Sequence, residues 1–298
     1  MILSSTQTEA LMNNKSLNIR VIAIADVHGE YETFRSILLD AKLIDSSGNW
    51  NGGNTILVQT GDMIDRGPKP IESVEYIRSI QEQAIKSESK VIRLLGNHEL
   101  MLLQGNYSFA NFQRPEELAE MLKKEIAERK VQAAWTDGKR LFSHAGVRTQ
   151  LRQWLEGSTT KSLNEQFSPE RLSHIADAAN DGLIKAAESR YCEGPLFYID
   201  RTRGGHDPFG GVFWGDGQNL FGSVQAFEMP QVFGHTPTRK PAFEFETGLS
   251  LINIDCGMWT GYGGNCGYLE ITSKDELIEH TKARDSMQFI SSTIDFQR

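Results

Sequence analysis

Short apolar runs rich in β-branched residues recur in the first hundred residues, at positions 21–25, 55–59 and 91–95. Each run ends in a polar loop that contains glycine. After the first two runs, apolar side chains return every three or four residues, around positions 31–41 and 70–84. The short runs predict buried strands, and the wider spacing predicts amphipathic helices. Their alternation predicts an α/β fold, in which ligands bind beyond the carboxyl ends of the strands.

The second half of the chain is less regular. Asp137-Gly138 is a typical turn between two apolar runs, 131–135 and 140–142, and predicts a hairpin. Residues 149–190 have a helical pattern, with Pro169 at a first helical position, and we interpret them as a helical insertion. Further strands are predicted at positions 231–233, 250–254 and 268–272.

The chain is interpreted as one catalytic domain over residues 19–275. It is preceded by a flexible N-terminal tail, 1–18, and followed by a C-terminal extension, 276–298. The tail is polar and lacks the apolar segment of a secretion signal. No run approaches the roughly 20 apolar residues of a membrane span. We therefore expect a cytoplasmic protein with no membrane partner.

Composition narrows the function. Asp and Glu number 39 against 31 Lys and Arg, which leaves a formal charge of −8, and no basic stripe is available to follow a nucleic-acid backbone. Nucleic acid is therefore not expected as a partner. Cys192, Cys256 and Cys266 have no metal-binding or redox spacing and are expected to be free thiols. A chain of this length can fold without a structural metal, so any bound metal would have a functional role.

The strand-end loops carry the candidate chemistry. They offer carboxylates, imidazoles and one amide oxygen in the order Asp26, His28, Asp62, Asn97, His144 and His235. Taken alone, each could be a turn residue or a buried histidine. Together, these mixed nitrogen and oxygen donors suit divalent Mn, Fe, Co or Zn better than Ca. Six ligands exceed what one catalytic ion needs, so the set predicts two metals that share a carboxylate.

The spacing of these residues resembles a known family. Asp26 to Gly29 has the form DxHG, Gly61 to Gly67 the form GDxxDRG, and Gly96 to Glu99 reads GNHE. With two later single-histidine motifs, at His144 and His235, they resemble the calcineurin-like metallophosphoesterases and, within them, the phosphoprotein phosphatase branch. The resemblance covers about residues 20–272. It implies a central β-sandwich of two mixed sheets flanked by helices.

The resemblance also implies roles for the six ligands. Asp26 and His28 would hold one ion, Asp62 would bridge, and Asn97, His144 and His235 would hold the other. The ions would most often be Mn, with Fe, Zn or Co as alternatives. A metal-bound hydroxide would then attack phosphorus in line.

Three further roles follow from the same motifs. Arg66 would clamp phosphate oxygens with its planar fork, and His98, oriented by Asp65, would protonate the leaving group. In the superfamily the last motif reads GHxH, but this chain lacks the second histidine after His235. Its absence favours a phosphomonoester substrate. Glu99 is not expected to be catalytic and is interpreted either as a residue that supports the ligands from behind or as an acid at a helix N-terminus.

Residues 194–198 read Gly-Pro-Leu-Phe-Tyr and precede two arginines, which is similar to Shewanella-like and ApaH-like phosphatases. Arg201 or Arg203 would supply a second clamp, and the sequence does not choose between them. Tyr262 lies in a glycine-rich loop where the family often presents an aromatic side chain to the site. Three other histidines, His174, His206 and His280, fit no motif.

The favoured function is a metal-dependent phosphomonoesterase, acting on phosphoserine, phosphothreonine or phosphotyrosine in proteins or on small phosphate esters. One alternative is a symmetrical dinucleoside tetraphosphatase or a cap-type pyrophosphohydrolase, since those relatives share the three leading motifs. Another is a catalytically silent scaffold that binds phosphorylated partners, although silence usually removes a ligand and all six are present. The oligomeric state is left open.

Overall fold

The computed structural model describes residues 19–157, 167–189, 191–221, 229–240, 242–245 and 251–295. The strands in this part of the chain form two sheets. The larger sheet has seven strands in the spatial order β12-β11-β10-β1-β2-β3-β4. Their bounds are β1 Val21–Ile24, β2 Ile56–Gln59, β3 Lys90–Leu94, β4 Val131–Gln132, β10 Cys266–Ile271, β11 Leu277–Lys282 and β12 Ile290–Thr293.

The first four strands of the larger sheet are parallel to one another, and β10, β11 and β12 continue it in antiparallel pairs. The smaller sheet has the order β5-β6-β7-β9-β8, in which β6, β7 and β9 are parallel and both edge strands are antiparallel. Its strands are β5 Ala134–Thr136, β6 Leu141–Ser143, β7 Gln231–Phe233, β8 Glu244–Phe245 and β9 Leu251–Asn253.

Helices surround the sheets. They are α1 Tyr31–Asp40, α2 Pro70–Lys86, α3 Asn97–Leu103, α4 Pro115–Ala127, α5 Thr149–Leu155, α6 Pro169–Ser189 and α7 Gly217–Phe221. Short 3-10 turns occur at Pro195–Phe197, Arg201–Arg203 and Thr260–Tyr262. Among the helices that the structure describes, none combines the length and apolarity needed to cross a bilayer.

The alternation of side chains along β1 divides the core. Val21 and Ala23 share one apolar cluster with Phe142 and Val232 of the smaller sheet. Ile22 and Ile24 belong to a second cluster, which contains Phe34 and other helical side chains. Successive strand residues point to opposite faces, so one face packs on the other sheet and one on helices. The predicted α/β sandwich of two mixed sheets flanked by helices is confirmed.

The predicted hairpin forms only in part. β5 and β6 pair across the Asp137-Gly138 turn, with Trp135 opposite Phe142. β4, which was expected to extend the first hairpin strand, instead pairs with β3 in the larger sheet. The chain changes sheets at Ala133, where the Asn180 side chain accepts the N–H groups of Ala133 and Ala134. These bonds replace the ladder that a continuous strand would supply.

Two segments that the sequence predicts as additions to the catalytic core, the insertion and the C-terminal extension, pack against it. Helix α6, within the predicted insertion, buries Leu172, Ile175 and Leu183 in the cluster that contains Phe34. The predicted C-terminal extension contributes β11 and β12 to the larger sheet. The predicted N-terminal tail lies outside the described residues.

Candidate metal and phosphate site

All six predicted ligands lie where strands end, and all are buried. Asp26 and His28 follow β1, Asp62 follows β2, and Asn97 opens α3 directly after β3. His144 and His235 follow β6 and β7 of the other sheet. The carboxyl ends of parallel strands lie along one edge of each sheet, and stacking the sheets brings these two edges together.

The donor atoms fall into two groups that share Asp62. One group holds oxygen or nitrogen atoms of Asp26, Asp62, His144 and His235 within 4.8 Å of one another, and the other joins His28, Asp62 and His98. His28 Nε2 is 3.6 Å from Asp62 Oδ2, and His144 Nε2 is 3.7 Å from Asp62 Oδ1. The two carboxylate oxygens of Asp62 therefore face different histidines.

Asn97 belongs to the His144 side of the site. Its Oδ1 lies 3.0 Å from His144 Nε2, and the same nitrogen is 3.1 Å from His235 Nδ1. At the opposite ring nitrogens, Nδ1 of His144 and Nδ1 of His28 lie 2.9 and 3.0 Å from the carbonyl oxygens of Thr60 and Ile64. Such carbonyl contacts fix the orientation of a ligating imidazole and direct Nε2 toward the site.

The Asp62 loop is held by backbone contacts to Glu99. The Glu99 carboxylate accepts N–H groups of Asp62, Met63 and Gly96 at 2.8 to 3.0 Å. Asp62 itself adopts a positive φ of 53°, which is uncommon away from glycine. A Cβ at Gly96 would collide with the Asp62 carboxylate. Glu99 thus supports the site from behind, as its lack of a catalytic role suggested.

Burial sets the charge state of the donors. It raises the pKa of Asp26 well above the ordinary range, with Asp255 and Asp62 adding to the effect, and it raises the pKa of Asp62. Burial also lowers the pKa of His144 to about 4 and that of His235 well below its usual range. The imidazoles are therefore neutral at pH 7, which is the form that binds metal.

His98 differs from the other histidines of the site. Burial alone would lower its pKa, but the carboxylates of Asp62 and Asp65 outweigh burial and raise it. His98 Nδ1 lies 2.6 Å from Asp65 Oδ2, and Arg66 Nη2 lies 3.2 Å from Nε2. The ring thus has an orienting carboxylate on one nitrogen and its other nitrogen beside the guanidinium of Arg66.

Arg66 is exposed, but two aromatic rings contact its guanidinium. Its guanidinium carbon lies 4.9 Å from the ring centre of Tyr262 and 5.4 Å from that of Trp259. The two rings are in a T-shaped contact with centroids 5.0 Å apart. Aromatic faces attract a guanidinium, so this pair holds Arg66 at the mouth of the site. Tyr262, predicted from a loop position alone, is brought to the site in this way.

The structure distinguishes the two arginines of the 201–203 turn. Arg203 lines the same cavity as His28 and His235, donates from Nη2 to Thr236 Oγ1 at 2.6 Å, and lies 3.0 Å from Asp216 Oδ2. Arg201 is exposed and is not among the residues that line this cavity. Residues at this spacing on a 3-10 turn point in different directions. Arg203 therefore faces the cavity, and Arg201 does not.

One buried carboxylate was missed by the sequence reasoning. Asp255 follows β9, is 2 % exposed, and accepts the Gly257 N–H at 2.9 Å. Burial raises its pKa to about 7, with Asp62 adding to the effect. Asp255 follows a strand and precedes Gly257, but it lies in no motif like those that carry the other candidate residues.

The residues present fit divalent metal ions. Neutral imidazoles, buried carboxylates and an amide oxygen converge here, and His235 Nε2 is buried without a hydrogen-bond partner. Carboxylates buried at such short separation are costly without a compensating cation. The cavity above them encloses about 150 Å³ and has Arg66, Arg203, His98 and Tyr262 among its lining residues.

Comparisons with known proteins agree with this geometry. Residues 19–239 match the model of the calcineurin-like phosphoesterase family. A curated Shewanella-like protein phosphatase 2 of Arabidopsis thaliana is 35% identical over 105 residues, which is 35% of this chain and 27% of that protein. A symmetrical bis(5'-nucleosyl)-tetraphosphatase of Chromobacterium violaceum is 32% identical over 115 residues, 39% of this chain and 36% of that enzyme. The chain thus aligns with roughly a third of each relative.

A solved structure shares the fold over most of its length. The crystal structure of a cold-active protein tyrosine phosphatase from a psychrophilic Shewanella species superposes with a TM-score of 0.63, covering 94% of this chain and 84% of that one. The two sequences are 22% identical. The likeness at this identity concerns the arrangement of sheets and helices.

Proposed function

Because the chain belongs to the calcineurin-like phosphoesterase family, we propose that it is a metal-dependent phosphatase that hydrolyses phosphate monoesters. The proposed substrates are phosphoserine, phosphothreonine or phosphotyrosine in proteins, or small phosphate esters. The observation that carries the proposal is that two guanidiniums line one cavity together with four of the six buried ligand side chains. The other two, Asp26 and His144, have donor atoms within 4.8 Å of those of Asp62 and His235.

The proposal includes two divalent ions, preferably Mn, with Fe, Zn or Co as substitutes. Asp26 and His28 would hold one ion and Asn97, His144 and His235 the other, with Asp62 between them. When bound, the ions would supply positive charge to the phosphate and lower the pKa of bound water. Asp62 is common to both donor groups, which supports its bridging role. The groups differ from the proposed assignment in one respect, because Asp26 lies with His144 and His235 and not with His28.

Arg66 and Arg203 are the proposed phosphate clamps. Both guanidiniums border the cavity, and each is held in advance, Arg66 by aromatic rings and Arg203 by Thr236 and Asp216. Arginines fixed before binding lose less conformational entropy when phosphate arrives. Two such groups suit a terminal phosphate dianion, which supports a monoester substrate.

His98 is the proposed general acid. Its pKa is raised by Asp62 and Asp65 against the effect of burial, so that a larger fraction carries a proton near neutral pH. Asp65 binds one ring nitrogen and thereby orients the other toward the cavity. Nε2 lies 3.2 Å from Arg66 Nη2, which can only donate, so the proposal requires Arg66 to turn from His98 to the phosphate before Nε2 delivers a proton to the leaving alkoxide.

A second candidate is hydrolysis of dinucleoside tetraphosphates, with cap-type pyrophosphohydrolysis as a related activity. The similarity to a symmetrical tetraphosphatase favours it. The presence of all six ligand side chains disfavours a silent scaffold.

The test compares substrates on one Mn-loaded preparation. Phosphopeptides and p-nitrophenyl phosphate should be hydrolysed, and bis-p-nitrophenyl phosphate should react at least about 10²-fold more slowly, a difference of roughly 2.7 kcal/mol in transition-state stabilisation. Diadenosine tetraphosphate cleaved faster than every phosphopeptide would favour the second candidate. Equal kcat/KM on monoester and diester would contradict the phosphatase proposal.

The proposed location is the cytoplasm. Cys192, Cys256 and Cys266 are all free thiols, as expected of a protein in a reducing compartment.

A further inference from the structure

An exposed phenyl ring stands at the edge of the metal cavity. Phe109 lies in the loop between α3 and α4, is 60% exposed, and lines the cavity together with Arg66 and His98. A large apolar side chain left in water beside a polar site is a typical contact point for a ligand. No part of the proposed chemistry at the metals uses it.

The loop that carries Phe109 is tied down on both sides of the ring. On one side, Asn106 Oδ1 accepts both the N–H and the hydroxyl of Ser108. On the other, Asn111 Nδ2 donates to the carbonyl oxygen of Gly67 at 2.9 Å. Gly67 directly follows Arg66, so this bond fixes the Phe109 loop to the turn that presents the phosphate clamp.

The cavity is lined by both polar and apolar side chains. Its polar lining includes His28, Asp62 and His235, and its apolar lining is Phe109, Met101 and Trp214. An ester whose phosphoryl group contacts the polar lining would carry its alcohol group within the same cavity, where Phe109 is the most exposed apolar side chain. The phenyl ring of Phe109 would then lose exposure to water against that alcohol.

We propose that Phe109 is a specificity-determining residue that contacts the leaving group and favours phosphate esters of flat, apolar alcohols over those of small polar alcohols. The inference rests on the proposed phosphatase function and adds the part of the substrate that the metals and clamps do not select. A polar alcohol gains nothing from a phenyl face, whereas an aromatic alcohol buries apolar surface on both partners.

The experiment measures kcat and KM for an aromatic ester, p-nitrophenyl phosphate, and a small polar ester, glycerol 2-phosphate. Phe109→Ala should lower kcat/KM for the aromatic ester about 10-fold, equivalent to about 1.4 kcal/mol, mainly through KM. It should change the value for glycerol 2-phosphate less than about 2-fold. Inhibition by inorganic phosphate should be unaffected, because phosphate carries no leaving group.

Tyr107→Ala is the matched control. Tyr107 belongs to the same loop and is 38% exposed, but it is not among the residues that line the cavity, so its removal should leave both esters unaffected. Metal content and thermal unfolding of both variants should match the wild type, since neither side chain is buried.

The outcomes separate the two proposals. If the wild type hydrolyses both esters and Phe109→Ala loses equally on both, or on neither, the role of Phe109 is overturned and the phosphatase function stands. If the loaded wild type hydrolyses neither ester, the proposed function fails, and the role of Phe109 fails with it.

Discussion

The two halves of the metal site are held in different ways. In the half formed by the larger sheet, backbone groups fix the candidate ligands: Glu99 accepts four N–H groups around Asp62, and Asp62 Oδ1 accepts the N–H of His98 at 3.0 Å. In the half formed by the smaller sheet, His144 also contacts a backbone group, the carbonyl oxygen of Thr60, but the other contacts are between side chains. Arg203 rests on Thr236 and Asp216, and His144 Nε2 faces Asn97 and His235.

This difference teaches how each half should respond to damage. A backbone cradle has few independent parts, because the strand ends that form it are also the ends of the central parallel ladder. Side-chain contacts can be removed one at a time without moving a strand. We therefore expect changes in the first half to abolish function and changes in the second half to reduce it by steps.

The largest effect is expected for Asp62→Asn. The amide removes the charge that both donor groups share, so the variant should lose metal and nearly all turnover. Elemental analysis and phosphatase assays measure the two losses together. His174→Ala, an exposed change on α6, should cause neither. A wild type that binds no more than one Mn per chain after loading would contradict the two-metal site.

The next effect separates proton transfer from metal binding within the first half. His98→Asn should lower kcat by roughly 10²–10⁴ for alkyl phosphates while metal content stays unchanged. The loss should be smaller for p-nitrophenyl phosphate, because its leaving group needs little protonation. An equal loss on both kinds of ester would assign His98 a structural role.

A graded effect is expected in the second half. Thr236→Val removes the oxygen that accepts from Arg203 and from the Gly217 N–H, and should raise KM for phosphate esters roughly 5- to 20-fold. Metal content should not change, and kcat should change little. Thr236→Ser, which restores the hydroxyl, should restore KM. Loss of metal from the valine variant would show that this half is as cooperative as the first.

The smallest effect concerns the pH dependence of stability. In protein stripped with a chelator, burial raises the pKa of Asp255 from 3.8 to about 7. The unfolded chain therefore releases this proton first, and stability contributed by the protonated carboxyl is lost as pH rises through this range. Relative to Asp255→Asn, the wild type should therefore show a Tm that falls as the pH rises through this range.

Thermal unfolding at pH 5, 6 and 7 measures this drift. Reloading with Mn should reduce it, because a cation stabilises the ionised carboxylates. Parallel Tm curves for wild type and variant would contradict the shifted pKa of Asp255.

The same contrast explains what the sequence could predict. Asp26, Asp62 and Asn97 sit in compact motifs at the ends of adjacent parallel strands, so short-range pattern and topology agree. Asp255 has no such motif, and only the parallel placement of β9 beside β7 brings it to the site. The choice of Arg203 over Arg201 as a lining residue depends on how a short turn is oriented, which spacing alone does not specify.

The outer strands of the larger sheet were harder to predict from the sequence, for similar reasons. β4 continues an apolar run into β5, and the change of sheet between them depends on a distant side chain, Asn180. Strand β11 is only partly buried, and the edge strand β12 is exposed. Their pairing depends on the neighbouring strand in each case, β10 for β11 and β11 for β12, and not on their own apolar content. Local pattern identified the buried centre and missed elements defined by distant partners.

One hydrogen bond at the site joins the two sheets directly. The Asp26 carboxylate accepts the backbone N–H of His235 at 3.0 Å, so a ligand of one sheet also anchors the strand end of the other. Hydrogen exchange at the His235 amide should consequently be slow whether or not metal is present. A homologue that has lost catalysis should therefore still need a hydrogen-bond acceptor at position 26, because the contact between the two sheets does not depend on activity.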